Sequence, residues 1–119
     1  MADIKQGLAG KRTDLYQMML RELTEQLQYM DENGYYGCGF TEHHFHIEGE
    51  EVSTNPVLLD LYFGLQTKRM KFGQLGNVLP SQNPINLAEN IAMVSQMLQG
   101  RVFAGFARGY QPRWVNVLG

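Results

Sequence analysis

The sequence predicts an α/β fold: about three parallel strands with intervening helices, forming part of a (β/α)8 barrel. Three observations carry this expectation. Strand starts near Tyr36, Met70 and Arg101 are separated by about thirty residues each, the spacing of a repeated β–helix unit. The stretches between them have helical periodicity, so successive strands are parallel and joined by right-handed crossovers. The last stretch, Val102-Phe103-Ala104-Gly105-Phe106-Ala107, is apolar without alternation, as a strand covered on both faces requires. An open doubly wound sheet is the competing arrangement. A closed barrel takes roughly 250 residues, whereas 119 residues supply three strands and leave sheet edges unpaired. The sequence therefore reads as a portion of a longer protein.

Each element has its own signal. From about Thr13 to Asn33, Leu15, Met18, Met19, Leu23, Leu27 and Met30 recur at threes and fours, the pattern of one helical face. Thr13 is the expected cap, and Gly34 supplies the left-handed stop. Tyr35 to Thr41 reads as a short strand. Asn55-Pro56 opens a second helix, with asparagine capping and proline at the first helical position. Its expected buried stripe is Val57, Leu58, Leu61, Tyr62 and Leu65, with Lys68 and Arg69 at the end where the helix dipole favours cations. Met70 to Leu79 reads as the second strand, closed by Pro80. Asn83-Pro84 opens a third helix, with Leu87, Ala88, Ile91, Ala92, Val94 and Leu98 inward and Gly100 as its stop. Val102 to Ala107 is the last strand.

Composition excludes several classes. Hydrophobic residues make up 44% and charged residues 18%, which describes a globular chain rather than a disordered tail. Ten Lys and Arg against 12 Asp and Glu give a net charge of -2, without the basic excess that nucleic acid or an anionic membrane calls for. Cys38 is the only cysteine, so no internal disulfide forms. With an amino terminus lacking an apolar signal core, this leads us to expect a cytoplasmic protein. No apolar run is long enough to span a bilayer.

Ligands of parallel α/β folds bind at the carboxyl ends of the strands, which selects three segments. They are Thr41-Glu42-His43-His44-Phe45-His46, Gly73-Gln74-Leu75-Gly76-Asn77 and Arg108-Gly109-Tyr110-Gln111-Pro112. All three histidines lie in the first, beside Glu42 and Glu48. One reading is a proton donor or acceptor near neutral pH. Another is a metal site built from His44, His46 and Glu48, and the third is a set of imidazoles that cap backbone groups in a solvated loop. Arg108, beside Gly109, suits a phosphate, against the alternative of an ordinary surface arginine. Gly73 and Gly76 inside a strand mark a bulge or the close approach of a ligand or another backbone. The glycines at Gly34, Gly37 and Gly39 do not follow the order of a dinucleotide-binding loop.

The ordered motifs Gly34-Tyr35-Tyr36, Thr41-Glu42-His43-His44-Phe45, Asn55-Pro56, Thr67-Lys68-Arg69-Met70-Lys71-Phe72-Gly73, Val78-Leu79-Pro80, Asn83-Pro84, Ala88-Glu89, Gly100-Arg101 and Arg108-Gly109-Tyr110 resemble one family. It is the bacterial luciferase-like flavin-dependent monooxygenases. The resemblance covers about residues 13 to 119, leaving 1–12 as an N-terminal lead-in to an incomplete barrel domain. It implies a TIM-barrel fold of which the first strand and the last four lie outside this stretch. It also implies that reduced FMN and O2 form a flavin hydroperoxide that oxygenates a small organic substrate.

By the same resemblance His43 is the catalytic acid or base, which favours the proton-transfer reading over the metal one. Arg108 binds the flavin phosphate with Ala107 and Tyr110 beside it. Leu75-Gly76 packs under the isoalloxazine ring, in some members through a cis peptide, and Thr41 lines the ring pocket. A separate flavin reductase and a dimer or partner subunit are implied as partners. A deazaflavin-dependent hydride-transfer enzyme of the same fold, or a non-catalytic flavin-binding or subunit-interaction fragment, are the alternatives. Gly37, Cys38 and Gly39 stand where the family commonly has larger strand residues, and Tyr36 replaces a frequent aspartate.

Overall fold

A computed structural model describes residues 8–49, 51 and 53–118; the first seven residues of the expected lead-in lie outside it. After a 3-10 turn at Ala9–Lys11, the elements are α1 (Thr13–Glu32), β1 (Gly37–Phe40), α2 (Pro56–Gly64), β2 (Lys71–Gln74) and β3 (Asn77–Val78). A 3-10 turn at Leu79–Ser81 leads to α3 (Pro84–Met97), β4 (Val102–Phe103), β5 (Phe106–Ala107) and α4 (Pro112–Leu118). Strands β1, β2 and β4 form a parallel sheet in that order, with Phe72 of β2 opposite Cys38 on one side and Val102 on the other. Strands β3 and β5 form a second parallel pair, with Val78 opposite Ala107.

Both expected long strands are therefore broken. Met70 to Leu79 divides at Leu75-Gly76, whose peptide is cis. Val102 to Ala107 divides at Ala104-Gly105, and Phe106 is exposed rather than covered on both faces. The breaks coincide because the two chains cross closely there. A Cβ on Gly73 would collide with the Phe103 carbonyl and ring, and one on Gly76 would lie 2.7 Å from the Phe106 nitrogen. Of the meanings open for these glycines, close approach of another backbone is the one observed.

Helix ends follow their sequence signals in most places. Asn55 caps α2 through Leu58 N–H, and Asn83 caps α3 through Ile85 and Asn86 N–H. Gly34 and Gly100 take positive φ of 81° and 80°. Thr13 is not a cap: α1 begins at Thr13, Arg12 holds the cap position without a side-chain bond, and its guanidinium pairs with Asp14. Of the two cations after α2, Arg69 acts elsewhere. Arg69 donates to the Asp31 and Glu32 carbonyls that end α1, while Arg101 serves α2 through the Gly64 and Thr67 carbonyls.

Two apolar clusters hold the layers. Leu27, Phe63, Met70 and Phe72 fill the space between α1, α2 and the sheet, with Cys38 and Phe40 packed against them. Val57, Leu87, Val94 and Leu98 join α2 to α3. The buried face of α2 is Pro56, Val57, Asp60, Phe63 and Gly64; of the expected stripe Val57 is buried and Leu61 packs against the second cluster, whereas Leu58, Tyr62 and Leu65 are exposed. On α3, Leu87, Val94 and Leu98 are buried as expected, whereas Ala88 and Ala92 face outward. The helix α4 was not expected, although Pro112 occupies a first helical position that would have marked it.

Candidate active site

Every strand pair is parallel, in one three-stranded and one two-stranded sheet; the residues that follow β1 and β2 leave the first sheet at the same end, and those that follow β5 leave the second. Thr41 follows β1, Leu75-Gly76 follows β2, and Arg108 and Tyr110 follow β5, which ends on Ala107. Leu75, Tyr110, Thr41 and Arg108 are exposed, at 64% for Leu75 and 71% for Tyr110, whereas Gly76 is buried and Ala107 half-buried. Leu75 N–H is fixed to the Phe40 carbonyl at 2.7 Å, and the missing Cβ of Gly39 leaves the space its side chain occupies. An exposed leucine, tyrosine and arginine after strands supply apolar surface and a positive charge. That donor set fits a flat ring carrying a phosphate.

The loop after β1 turns His43 and His46 toward Glu51 and His44 toward Glu42. His43 is largely buried. Its N–H donates to the Ser53 carbonyl at 2.8 Å, its Nε2 lies 3.3 Å from Glu51 Oε1, and its Nδ1 is buried without a partner. His46 stacks edge-on against His43 at 5.8 Å and stands 3.5 Å from the other Glu51 oxygen and 3.4 Å from Glu48. His44 Nε2 pairs instead with Glu42 at 2.8 Å, and its ring packs on Trp114 of α4. His44 and His46 thus do not converge, and among the described residues no group of three His, Cys, Asp or Glu could hold a metal ion.

Two buried acids take roles that no local motif indicates. Glu42, 4% exposed, accepts from Val78 N–H at 2.7 Å and Gln82 Nε2 at 2.6 Å, besides His44. It ties the loop after β1 to the turn after β3. Asp60, fully buried on α2, accepts from Gln74 Nε2, and burial pushes its carboxyl up to about 7 despite that bond. Apart from His44, two residues from Glu42, their partners lie 14 to 40 residues away, out of reach of any spacing signal. Arg113 of α4, equally unforeseen, donates to Glu48 at 2.6 Å and braces the histidine loop.

Parallel strand pairs joined by helices define an α/β fold, a class whose ligands bind at the carboxyl ends of the strands. The family model described as luciferase-like monooxygenase matches residues 5–119. The chain belongs to that flavin-dependent family, and its fold is part of a TIM barrel.

Among curated relatives, it is 44% identical to 3,6-diketocamphane 1,6-monooxygenase of Pseudomonas putida over 59 residues, which is 50% of this chain and 16% of that protein. It is 32% identical to the alkanal monooxygenase alpha chain of Photorhabdus laumondii over 87 residues, 69% of this chain and 24% of the relative. Among solved structures, the oxygenating constituent of 3,6-diketocamphane monooxygenase from Pseudomonas putida, a type II Baeyer-Villiger monooxygenase in complex with FMN, superposes with a TM-score of 0.79. The identity is 29%, over 98% of this chain and 30% of that one. The monooxygenase RslO1 from Streptomyces bottropensis gives 0.78 at 26% identity, over 83% and 30%. The chain thus spans less than a third of the proteins it matches. Among the described residues no helix is long and apolar enough to cross a membrane.

Proposed function

We propose that the protein carrying this chain is an FMN-dependent monooxygenase that oxygenates a small organic substrate. When bound, reduced FMN supplies two electrons to dioxygen, so that one oxygen atom enters the substrate and the other leaves as water. Arg108 holds the phosphate, its exposed guanidinium being able to form paired charge-assisted bonds. Thr41, Leu75, Gly76, Ala107 and Tyr110 line the ring and its approach, and Leu75 gives the ring an apolar surface that keeps water away. His43 moves the proton. Its Nε2, 3.3 Å from Glu51, has an acid within reach with which to share that proton.

What supports this reading is the placement of Thr41, Leu75-Gly76 and Arg108 directly after β1, β2 and β5, with the His43–Glu51 contact on the loop after β1. A separate reductase delivers the reduced flavin. A second copy or partner subunit covers the exposed Leu58, Ile85 and Met93 of α2 and α3. The test is flavin titration and turnover of the full-length natural protein with Arg108→Ala and His43→Ala. Arg108→Ala should weaken flavin binding by about tenfold or more. His43→Ala should leave binding within about twofold and lower turnover by about a hundredfold. Negligible effects of both changes reject the assignment.

A further inference from the structure

Asp60 has no part in the chemistry described so far, and a fully buried acid without a cationic partner calls for a reason. Its Oδ2 accepts from Gln74 Nε2, Gln74 Oε1 accepts from Asn77 Nδ2 at 2.9 Å, and Asn77 Nδ2 also reaches the Gly105 carbonyl at 3.2 Å. Gln74 and Asn77 are themselves buried, at 1% and 0% exposed. They immediately flank Leu75-Gly76. The polar chain therefore starts on α2, passes both ends of that dipeptide and ends on the β4–β5 crossing.

We propose that Asp60 is a positioning residue which, as a neutral acid, sets the Leu75-Gly76 segment through Gln74 and Asn77 and so tunes flavin affinity. The identity of what rests on that segment comes from the function proposed above; the placement of the segment by Asp60 does not. Ionisation is the weak point of the device. Asp60 Oδ1 and Asn77 Oδ1 are buried with no donor facing them, so a charge on Asp60 has nothing but Gln74 to stabilise it. The titratable group facing Asp60 is the half-buried Cys38 thiol of β1, itself raised by burial and then by the Asp60 charge. With Asp60 titrating near 7, raising the pH past neutrality charges the buried acid, draws water or donors toward it and loosens the chain that brackets the dipeptide.

The experiment is a flavin fluorescence titration of the full-length protein from pH 6 to 8, with Asp60→Asn as the neutral comparison. The variant also controls for titration of the flavin phosphate itself. Wild-type affinity should fall by about tenfold more than that of Asp60→Asn across this range, the two being within about twofold at pH 6. Parallel curves overturn the proposal.

A second readout keeps the test open if Asp60→Asn folds poorly, and needs no flavin. Amide exchange at Leu75 and Asn77, which donate to the Phe40 and Gly105 carbonyls, should lose about tenfold in protection across neutrality, relative to amides in α1 of the same wild-type sample. Protection that tracks α1 at every pH overturns it. Failure of the functional reading would appear separately, as flavin binding that ignores Arg108→Ala, and would leave this exchange readout standing.

Discussion

Replacing Asp31 by alanine should cost the fold more than any surface change of similar size, and the amount follows from three bonds. Asp31 sits in the last turn of α1, 5% exposed, and its carboxylate accepts from the backbone N–H of Lys68 at 2.8 Å, Arg69 at 2.9 Å and Met70 at 2.6 Å. Lys68 and Arg69 are exposed, so water takes over from the lost acceptor. Met70 is fully buried, and its donor stays unmade. A stranded buried donor costs about 1–3 kcal/mol, and the two solvated amides add about 0.5–1 each for the lost charge-assisted bonds, giving about 2–5 kcal/mol for Asp31→Ala. Asp31→Asn keeps one acceptor oxygen and should lose about half of that.

Acid supplies a second arm to the same experiment. Burial alone would raise the Asp31 carboxyl, but the three N–H donors and the Arg69 charge outweigh it and hold it below the ordinary 3.8. A lowered folded value means that its contribution is complete above the unfolded value and disappears as pH falls through the folded one. Urea unfolding of the full-length protein by circular dichroism should show wild type and Asp31→Asn well apart at pH 7 and converging below about pH 3.8. A loss under about 1 kcal/mol for Asp31→Ala, or a gap that persists unchanged into acid, would refute the reasoning.

Gly73→Ala should destabilise by about 3 kcal/mol, read from the urea midpoint, because the new methyl meets the Phe103 carbonyl of the neighbouring strand and cannot be moved aside; a cost below about 1 kcal/mol would mean that the crossing of β2 and β4 is looser than described. Asp60 carries the opposite linkage to Asp31. Its folded value near 7 stands above the ordinary 3.8, so its favourable contribution is complete below the unfolded value and is lost as pH rises through about 7, in all about 4 kcal/mol. The Asp60→Asn variant should lack this decline between about pH 4 and 8 in the same unfolding series, and an identical decline in both proteins would count against it.

Which parts of this could be read from sequence depends on whether the signal is local. The Asn-Pro pairs at Asn55 and Asn83 became caps because capping involves residues two or three positions apart. Gly34 and Gly100 became left-handed stops for the same reason. The parallel order of β1, β2 and β4 followed from connection length. By contrast, α2 is apolar around most of its circumference, with Leu58, Leu61, Tyr62 and Leu65 all plausible inward residues. Periodicity cannot choose a face there. The choice fell to Phe63 and the small Gly64, against which Leu98 packs closely. The breaks in the second and last strands were equally out of reach, since they arise where Gly73 and Gly76 meet a segment about thirty residues away in the chain.

The same distinction explains how the candidate site is held. Its apolar clusters lie between the sheet and the helices, whereas the carboxyl edge is joined by buried acids. Glu42 binds the histidine loop to Val78 and Gln82, and Asp60 binds α2 to Gln74. Apolar packing is nearly indifferent to pH, whereas a buried acid that loses its hydrogen-bond partner keeps its full desolvation cost. The edge of the sheet is consequently the part of this fold whose geometry is easiest to perturb without unfolding the rest. Small changes in protonation or polar substitution there should appear first in ligand affinity at the strand ends, and only later in the stability of the helices behind them.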